Sequence, residues 1–247
     1  MKKFSVIIPT LNEERNLSYL LLSLSKQTQK DFEVIVSDGK SEDKTKEIAL
    51  EYQKTLDLKF VESPKRKVTT QRNFGAKNAS GEYLIFLDAD YQADVSFLAV
   101  LTKSIENTHA DMVIPISTPI TKNVFWKIYY AIANKGSFLT LILRKPFVLG
   151  SAVCVKKEMF EKIGEYDDAV VMYEDQYLVQ QSFRAGAKIV YTKAEVYFSI
   201  RRQVKEGRVK FIYENIISTL YLILKGPIKK ELFKYKMGGQ EFQPFKK

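Results

Sequence analysis

Five short β-rich runs at residues 4–9, 32–37, 59–62, 83–87 and 112–115 alternate with helical patterns through the first half of the chain, the order of a parallel sheet covered by helices. Several of these runs are apolar almost throughout, as strands buried on both faces are. Leu17, Leu20, Leu21 and Leu24 mark one buried helix face by their i, i+3, i+4, i+7 spacing, with Asn12 or Asn16 as the cap. Phe97, Leu98, Leu101 and Ile105 repeat the pattern after Asp94 or Ser96. The second half is less regular. An aromatic-rich segment with Phe125, Trp126, Tyr129, Tyr130 and Phe138 precedes a strand at 152–155, a helix over 174–185, a short strand at 188–191, a strand-like segment at 195–200 and a final helix around 211–224. Gly186 sits just past a helix end, where a left-handed residue closes the last turn. The fold expected is α/β, a Rossmann-like, mostly parallel sheet flanked by helices, with a more irregular helical C-terminal part.

Composition narrows the class. With 247 residues and 45% hydrophobic side chains the chain can bury one sizeable core, which excludes wholesale disorder and collagen-like repeats. One cysteine, Cys154, forms no internal disulfide and fits a reducing, cytoplasmic compartment. The N-terminal MKKFSVIIPTLNEE turns polar too soon for a signal peptide, so no export is expected. The apolar stretches 124–143 and 212–224 are interrupted by Lys127, Lys135 and Glu214 and are not expected to span a bilayer.

Charge is more informative by place than by sum. The formal net charge is +10, with bases crowded into Lys65-Arg66-Lys67, Arg201-Arg202 and 225–236, and acids into 38–43, 88–94 and 165–175. Acidic clusters within a basic protein point to a metal site rather than to a nucleic-acid surface, and no nucleic-acid partner is expected. Open α/β sheets bind ligands at the carboxyl ends of their strands. Those positions here read Pro9-Thr10-Leu11-Asn12-Glu13-Glu14, Ser37 through Thr45, and Asp88-Ala89-Asp90. In an extended segment the carboxylates of Asp88 and Asp90 would point the same way and share a divalent cation with a diphosphate.

These runs, with Gln71-Arg72-Asn73-Phe74-Gly75, the segment 81–90 and Glu174-Asp175, resemble glycosyltransferase family 2 over roughly residues 4–190. The resemblance implies a GT-A fold and a metal-dependent, inverting transfer of a single sugar from a nucleoside diphosphate sugar, UDP favoured over GDP. It implies a nucleotide pocket formed by Pro9, Thr10, Asn12, Glu13, Asp38, Arg72, Asp88 and Ala89, with Asp38 toward the base and Asp88 toward the ribose. It also implies Mn²⁺ or Mg²⁺ on Asp90 with Asp88, and Asp175 or its neighbour Glu174 as the general base. Residues 1–200 would be the catalytic domain, and 201–247 a basic helical extension associated with a membrane surface.

Other readings stand beside these. Asn12 and Asp38 also suit a helix cap and a turn, Glu174 and Asp175 first-turn acids favoured by the helix dipole, and Lys65-Arg66-Lys67 a solvated loop. His109 reads as a surface residue and Cys154 as a small buried hydrophobe. The aromatic stretch 125–138 reads as a core helix; with Lys127, Lys135, Arg144 and Lys145 it also suits the headgroup level of an anionic membrane, which would put the protein peripherally on the cytoplasmic face. Arg201 and Arg202 suit a phosphate, so a lipid-linked acceptor is expected beside a saccharide one. A nucleotidyltransferase, or a non-catalytic nucleotide-sugar-binding or membrane adaptor protein, is the alternative.

Overall fold

Strand β1 (Phe4–Thr10) is buried along its whole length, and the sheet grows from it in both directions. In this computed structural model, which describes residues 2–233, β1 pairs in parallel with β2 (Phe32–Asp38) and β4 (Tyr83–Phe86), setting Val6 opposite both Val34 and Ile85. Beyond β2 lies β3 (Leu58–Glu62). On the other side β7 (Val153–Lys156) runs antiparallel to β4 and to β6 (Met112–Ile120), followed by β8 (Ile189–Ser199), parallel to β6, and the edge strand β5 (Tyr91–Ala93). The order β3-β2-β1-β4-β7-β6-β8-β5 reverses direction between β1 and β4. A crevice therefore opens at the carboxyl ends of those two strands.

Side-chain alternation fills both sides of this sheet. Val6, Ile8, Val34 and Ile85 pack against the leucines of α1 (Leu17–Ser25) and the apolar stripe of α4 (Phe97–Thr108). Ile7, Ile35, Leu84 and Phe86 face Ala76 of α3 (Val68–Lys77), Phe160 of α6 (Lys157–Lys162) and Val179 of α7 (Glu174–Arg184). Gly75 sets how closely α3 lies on β1, since a Cβ there would come within 2.6 Å of the Ile7 side chain. The remaining helices are α2 (Thr45–Glu51), α5 (Val124–Ile142), α8 (Arg201–Glu206) and α9 (Arg208–Lys225). Residues 234–247 of the basic extension, with Lys234 and Lys236, lie outside the described residues.

The expected fold is the observed one, with local corrections. β6 does not stop at Pro115. Proline lacks the N–H that a ladder needs, and the strand bulges there between Ile114 and Ile116 before pairing on to Ile120. The segments 188–191 and 195–200 are one strand, β8, because β6 templates it on both sides of that bulge. Asn16 and Ser96 occupy the N-cap positions of α1 and α4 without capping through their side chains. Instead Asp94 accepts from the Ser96 N–H and hydroxyl at 2.9 and 2.7 Å. Gly186 is left-handed as expected, His109 is exposed at the end of α4, and Cys154 is buried in β7, where burial pushes its thiol pKa up.

The alternation of β2 puts Glu33 inside. Burial raises its pKa, but hydrogen bonds from the Ser80 N–H (2.6 Å), the Ser5 and Ser80 hydroxyls (2.7 Å each) and Lys59 (3.0 Å) outweigh that and hold it at about 2. A depressed carboxyl stabilises the fold above its unfolded pKa, and that contribution fades as pH falls from about 4.5 toward 2. Glu33→Gln is expected to lose on the order of 1–3 kcal/mol at pH 7 and much less at pH 2, read by chemical denaturation at both values. An equal loss at the two pH values would contradict this account.

Candidate active site

The loops after β1 and β2 are laced together into the floor of the crevice. Thr10 donates to Asp38 Oδ1 at 2.8 Å, and Ser41 donates to the same carboxylate through its N–H (2.7 Å) and hydroxyl (2.5 Å). Asn12, left-handed at φ 56°, donates its N–H to Ser41 Oγ and accepts from the Glu42 N–H, both at 2.8 Å. The Glu13 N–H reaches Thr45 Oγ1 at 2.9 Å. Pro9, Thr10 and Asp38 are buried, with the side chains of Thr10 and Asp38 already bonded, so they fix the shape of the loop. Lys65 and Arg66 are exposed, as a solvated loop requires, while Arg66 also ion-pairs with Glu42 and Lys67 bonds the Asp168 carbonyl.

The Asp88-Ala89-Asp90 run is a turn, not an extended segment, closed by the Tyr91 N–H donating to the Asp88 carbonyl at 3.1 Å. The turn sends the two carboxylates to different arginines, since side chains two apart point the same way only while the chain stays extended. Asp88 takes Arg72 at 2.8 Å and the Ser151 hydroxyl at 2.6 Å. Asp90 faces Arg201 at 3.4 Å, and Ala89 between them is buried. Burial pushes the Asp90 pKa up to about 7; Arg201 opposes this, while Asp88 and Glu13 add to it.

Arg72 is the hub. The buried stripe of α3 carries it beneath the carboxyl end of the sheet, where it is only 1% exposed. Its guanidinium meets Glu174 and Asp88 at 2.8 Å each and Asp175 at 3.1 Å, with the Tyr166 ring 5.1 Å away. Glu174 and Asp175 begin α7, where the helix dipole favours negative charge. Asp175 is 7% exposed and accepts a 2.7 Å hydrogen bond from the Tyr166 hydroxyl. Its pKa is pushed up to about 8 by burial, against Arg72 and reinforced by Glu174 and Asp88. One cation shared among three carboxylates leaves the cluster negative.

A second arginine closes the site. Arg201 meets Glu13 at 3.0 Å as well as Asp90 and so links the first loop to the acidic turn. Arg202 turns elsewhere, to Glu206 at 2.9 Å and Glu214 at 3.6 Å. The two guanidinium groups thus do not form one phosphate clamp, because successive residues of a helix point about 100° apart.

Four supporting residues escaped the sequence reading. Tyr166 orients Asp175, Ser151 bonds Asp88, Tyr91 accepts the Ser151 N–H at 3.1 Å, and Gln176 holds the backbone of Pro146 and Val148 at 2.8 and 2.7 Å. No local pattern marks them; only Gln176, beside Glu174-Asp175, and Tyr91, beside Asp90, had a neighbouring signal.

Among the described residues no three His, Cys, Asp or Glu side chains converge as a ready-made metal cage. The hard oxygens of Asp88 and Asp90, although each already faces an arginine, are the ligand type that suits a Mg²⁺- or Mn²⁺-type cation taking its remaining ligands from a bound diphosphate.

Sheet order and the likeness to solved glycosyltransferases together define the class, a GT-A fold. Within that class the chain belongs to glycosyltransferase family 2, whose model, described as glycosyl transferase family 2, matches residues 5–164. It is 36% identical over 118 residues, 46% of this chain, to the poly(ribitol-phosphate) beta-N-acetylglucosaminyltransferase TarS of Staphylococcus aureus, and the match covers 21% of that relative's length. A dolichyl N-acetyl-alpha-D-glucosaminyl phosphate 3-beta-D-2,3-diacetamido-2,3-dideoxy-beta-D-glucuronosyltransferase of Methanococcus voltae is 27% identical over 236 residues, 90% of this chain and 67% of that one. The crystal structure of TarS 1-349 with UDP superposes with a TM-score of 0.65 at 24% identity, covering 80% of this chain and 60% of that one. The mannosyltransferase PcManGT of Pyrobaculum calidifontis with GDP-Man and Mn²⁺ gives 0.67 at 19% identity, covering 91% and 70%. At these identities the structural likeness speaks for the fold.

Proposed function

We propose that the protein is a metal-dependent, inverting glycosyltransferase that moves one sugar from a nucleoside diphosphate sugar, UDP favoured and GDP second, to a lipid-linked or saccharide acceptor. The observation that carries this reading is the cluster in which buried Arg72 joins Asp88, on the nucleotide side, to Glu174 and Asp175, on the acceptor side. Residues 1–200 would form the catalytic domain and 201–247 a basic helical extension associated with a membrane surface. Supporting a lipid-linked acceptor is the Methanococcus voltae relative, named for a dolichyl phosphate substrate. The lone thiol, buried in β7 and away from any pairing partner, agrees with a cytoplasmic location.

In this reading the base and ribose of the donor lie over the floor built by Pro9, Thr10, Asn12, Glu13 and Asp38, with Asp88 and Ala89 at the ribose. Asp90, with Asp88, would hold Mn²⁺ or Mg²⁺, which when bound offsets the negative charge that grows on the departing diphosphate. Arg201 reaches the same carboxylate at 3.4 Å and would meet a phosphate group there. Asp175 takes the proton of the acceptor hydroxyl as its oxygen bonds to the anomeric carbon from the face opposite the leaving group. The carbon–oxygen bond to the diphosphate breaks, the nucleoside diphosphate leaves with that electron pair, and the anomeric configuration inverts. Tyr166 and Arg72 orient the Asp175 carboxylate from one oxygen, Oδ1.

Calorimetric titration with UDP and GDP, each with and without Mn²⁺, tests the donor half. One nucleotide is expected to bind more tightly with Mn²⁺, and Asp90→Ala to lose at least roughly tenfold of that enhancement, a loss typical even of residues that only support a metal ligand. Equal binding with and without the ion, or an Asp90→Ala variant like the wild type, would overturn the metal assignment.

A further inference from the structure

We infer that the outer faces of α5 and α9 seat the protein on an anionic lipid bilayer, with both helices lying in the interface. A helix on the surface of a globular domain turns its apolar stripe inward and its polar residues outward. α9 does much of the reverse. Its buried stripe includes Glu214 and Ser218 beside Phe211 and Leu222, while Tyr213, Ile216, Leu220, Ile223 and Leu224 are exposed. α5, expected as a core helix, buries only Trp126, Tyr130 and Ser137 and leaves Ile128, Ile132, Phe138 and Ile142 more than half exposed. The two helices meet at their N-terminal ends, where Trp126 packs edge-on against Phe211 at 5.6 Å and Arg208 lies 4.7 Å from the Phe125 ring.

Charge selects the occupant. Every charged side chain that α5 and α9 expose is basic: Lys127 and Lys135 on the first, Arg208, Lys210 and Lys225 on the second. The one acid of either helix, Glu214, is buried. Exposed Arg144 and Lys145 follow directly after α5. A second copy docking on this face would set lysine against lysine. An anionic headgroup layer instead receives the basic heads while the acyl boundary receives the apolar side chains. Among the described residues no helix is long and apolar enough to cross a membrane, so the mode is in-plane.

The face also borders the acidic cluster. The Tyr173 hydroxyl, one residue before Glu174, donates to Asn215 Oδ1 on α9 at 2.6 Å, and Val171 bonds the Ile228 carbonyl at 2.9 Å. If the transferase reading above holds, a lipid-linked acceptor would reach Asp175 from this side; that corollary rests on the reading, whereas the docking itself does not.

Co-sedimentation with vesicles of phosphatidylcholine alone, and of phosphatidylcholine with phosphatidylglycerol, is the test. Binding is expected on the anionic vesicles only and should weaken with salt, with about a fivefold loss for Lys127→Gln or Lys135→Gln. The double variant Ile216→Asp with Leu220→Asp should lose binding while its thermal unfolding midpoint stays near that of the wild type, because both side chains are exposed. No binding at low salt would overturn the inference, as would equal binding to neutral vesicles, or a dimer broken by the same double variant without any vesicle binding. None of these outcomes touches nucleotide titration, so a failed docking face leaves the reading of the site standing.

Discussion

Asp175→Asn is expected to lower turnover by about 10²–10⁴-fold while leaving nucleotide binding unchanged. Asparagine keeps the size of the side chain and can still accept from Tyr166, so the geometry survives and only the proton acceptor is lost. Glu174→Gln is the control. It removes one of the three carboxyl groups around Arg72 and should cost less turnover, since Glu174 engages the same guanidinium from its side at 2.8 Å. The pH profile carries an independent signature. With its pKa pushed up to about 8, Asp175 is mostly protonated at neutral pH and becomes a base as pH rises. Thus kcat/KM should climb to a plateau above about pH 8, and the climb should vanish in the asparagine variant. Stability should run the other way. The folded chain holds a proton here that the unfolded chain releases near 3.8, so stability falls between those two values and Asp175→Asn escapes the loss. Retained turnover in Asp175→Asn would mean that the attacking atom needs no deprotonation, as a phosphate oxygen would not.

Arg72→Met should cost about 3–5 kcal/mol of folding stability at pH 7, the penalty for stranding buried carboxylates without their cation. Asp88, Glu174 and Asp175 all depend on it, and at 1% exposure there is no water to replace it. Arg72→Lys should recover little, because one ammonium cannot reproduce the planar fork that meets three carboxylates at 2.8 to 3.1 Å. The loss should shrink as pH falls and the carboxylates take up protons. Urea denaturation at pH 7 and pH 4 reads both effects. A methionine variant as stable as the wild type at pH 7 would show that the acids find other partners, and the hub would be an incidental contact.

Much of the molecule was legible before folding was considered. The apolar runs of β1, β2 and β4 and the leucine spacing of α1 are short-range patterns, and each dictates which face is buried wherever the element ends up. The acidic residues after β1, β2 and β4 follow from the same logic, since a parallel sheet brings its strand ends to one edge; the pair at the start of α7 follows no strand and was marked by the family resemblance alone. Turn chemistry was harder to read. Asp88 and Asp90 were legible as a pair but not as a turn, because the bond that closes it is to the backbone of Tyr91, at the start of a three-residue strand too short to announce itself.

By itself, then, the sequence determined the α/β class, the polarity of the site edge and the identity of its acids, all properties of residues near one another in the chain. The tertiary structure decided which cation serves which acid. Arg72 reaches Glu174 across 102 residues and Arg201 reaches Glu13 across 188, and nothing in the sequence around any of them records the distance. It also separated Arg201 from Arg202, adjacent in the chain, and turned an apolar stripe of α9 outward although its periodicity alone would place that stripe in a core. Periodicity tells which residues share a face, but only the packed neighbours decide what that face meets.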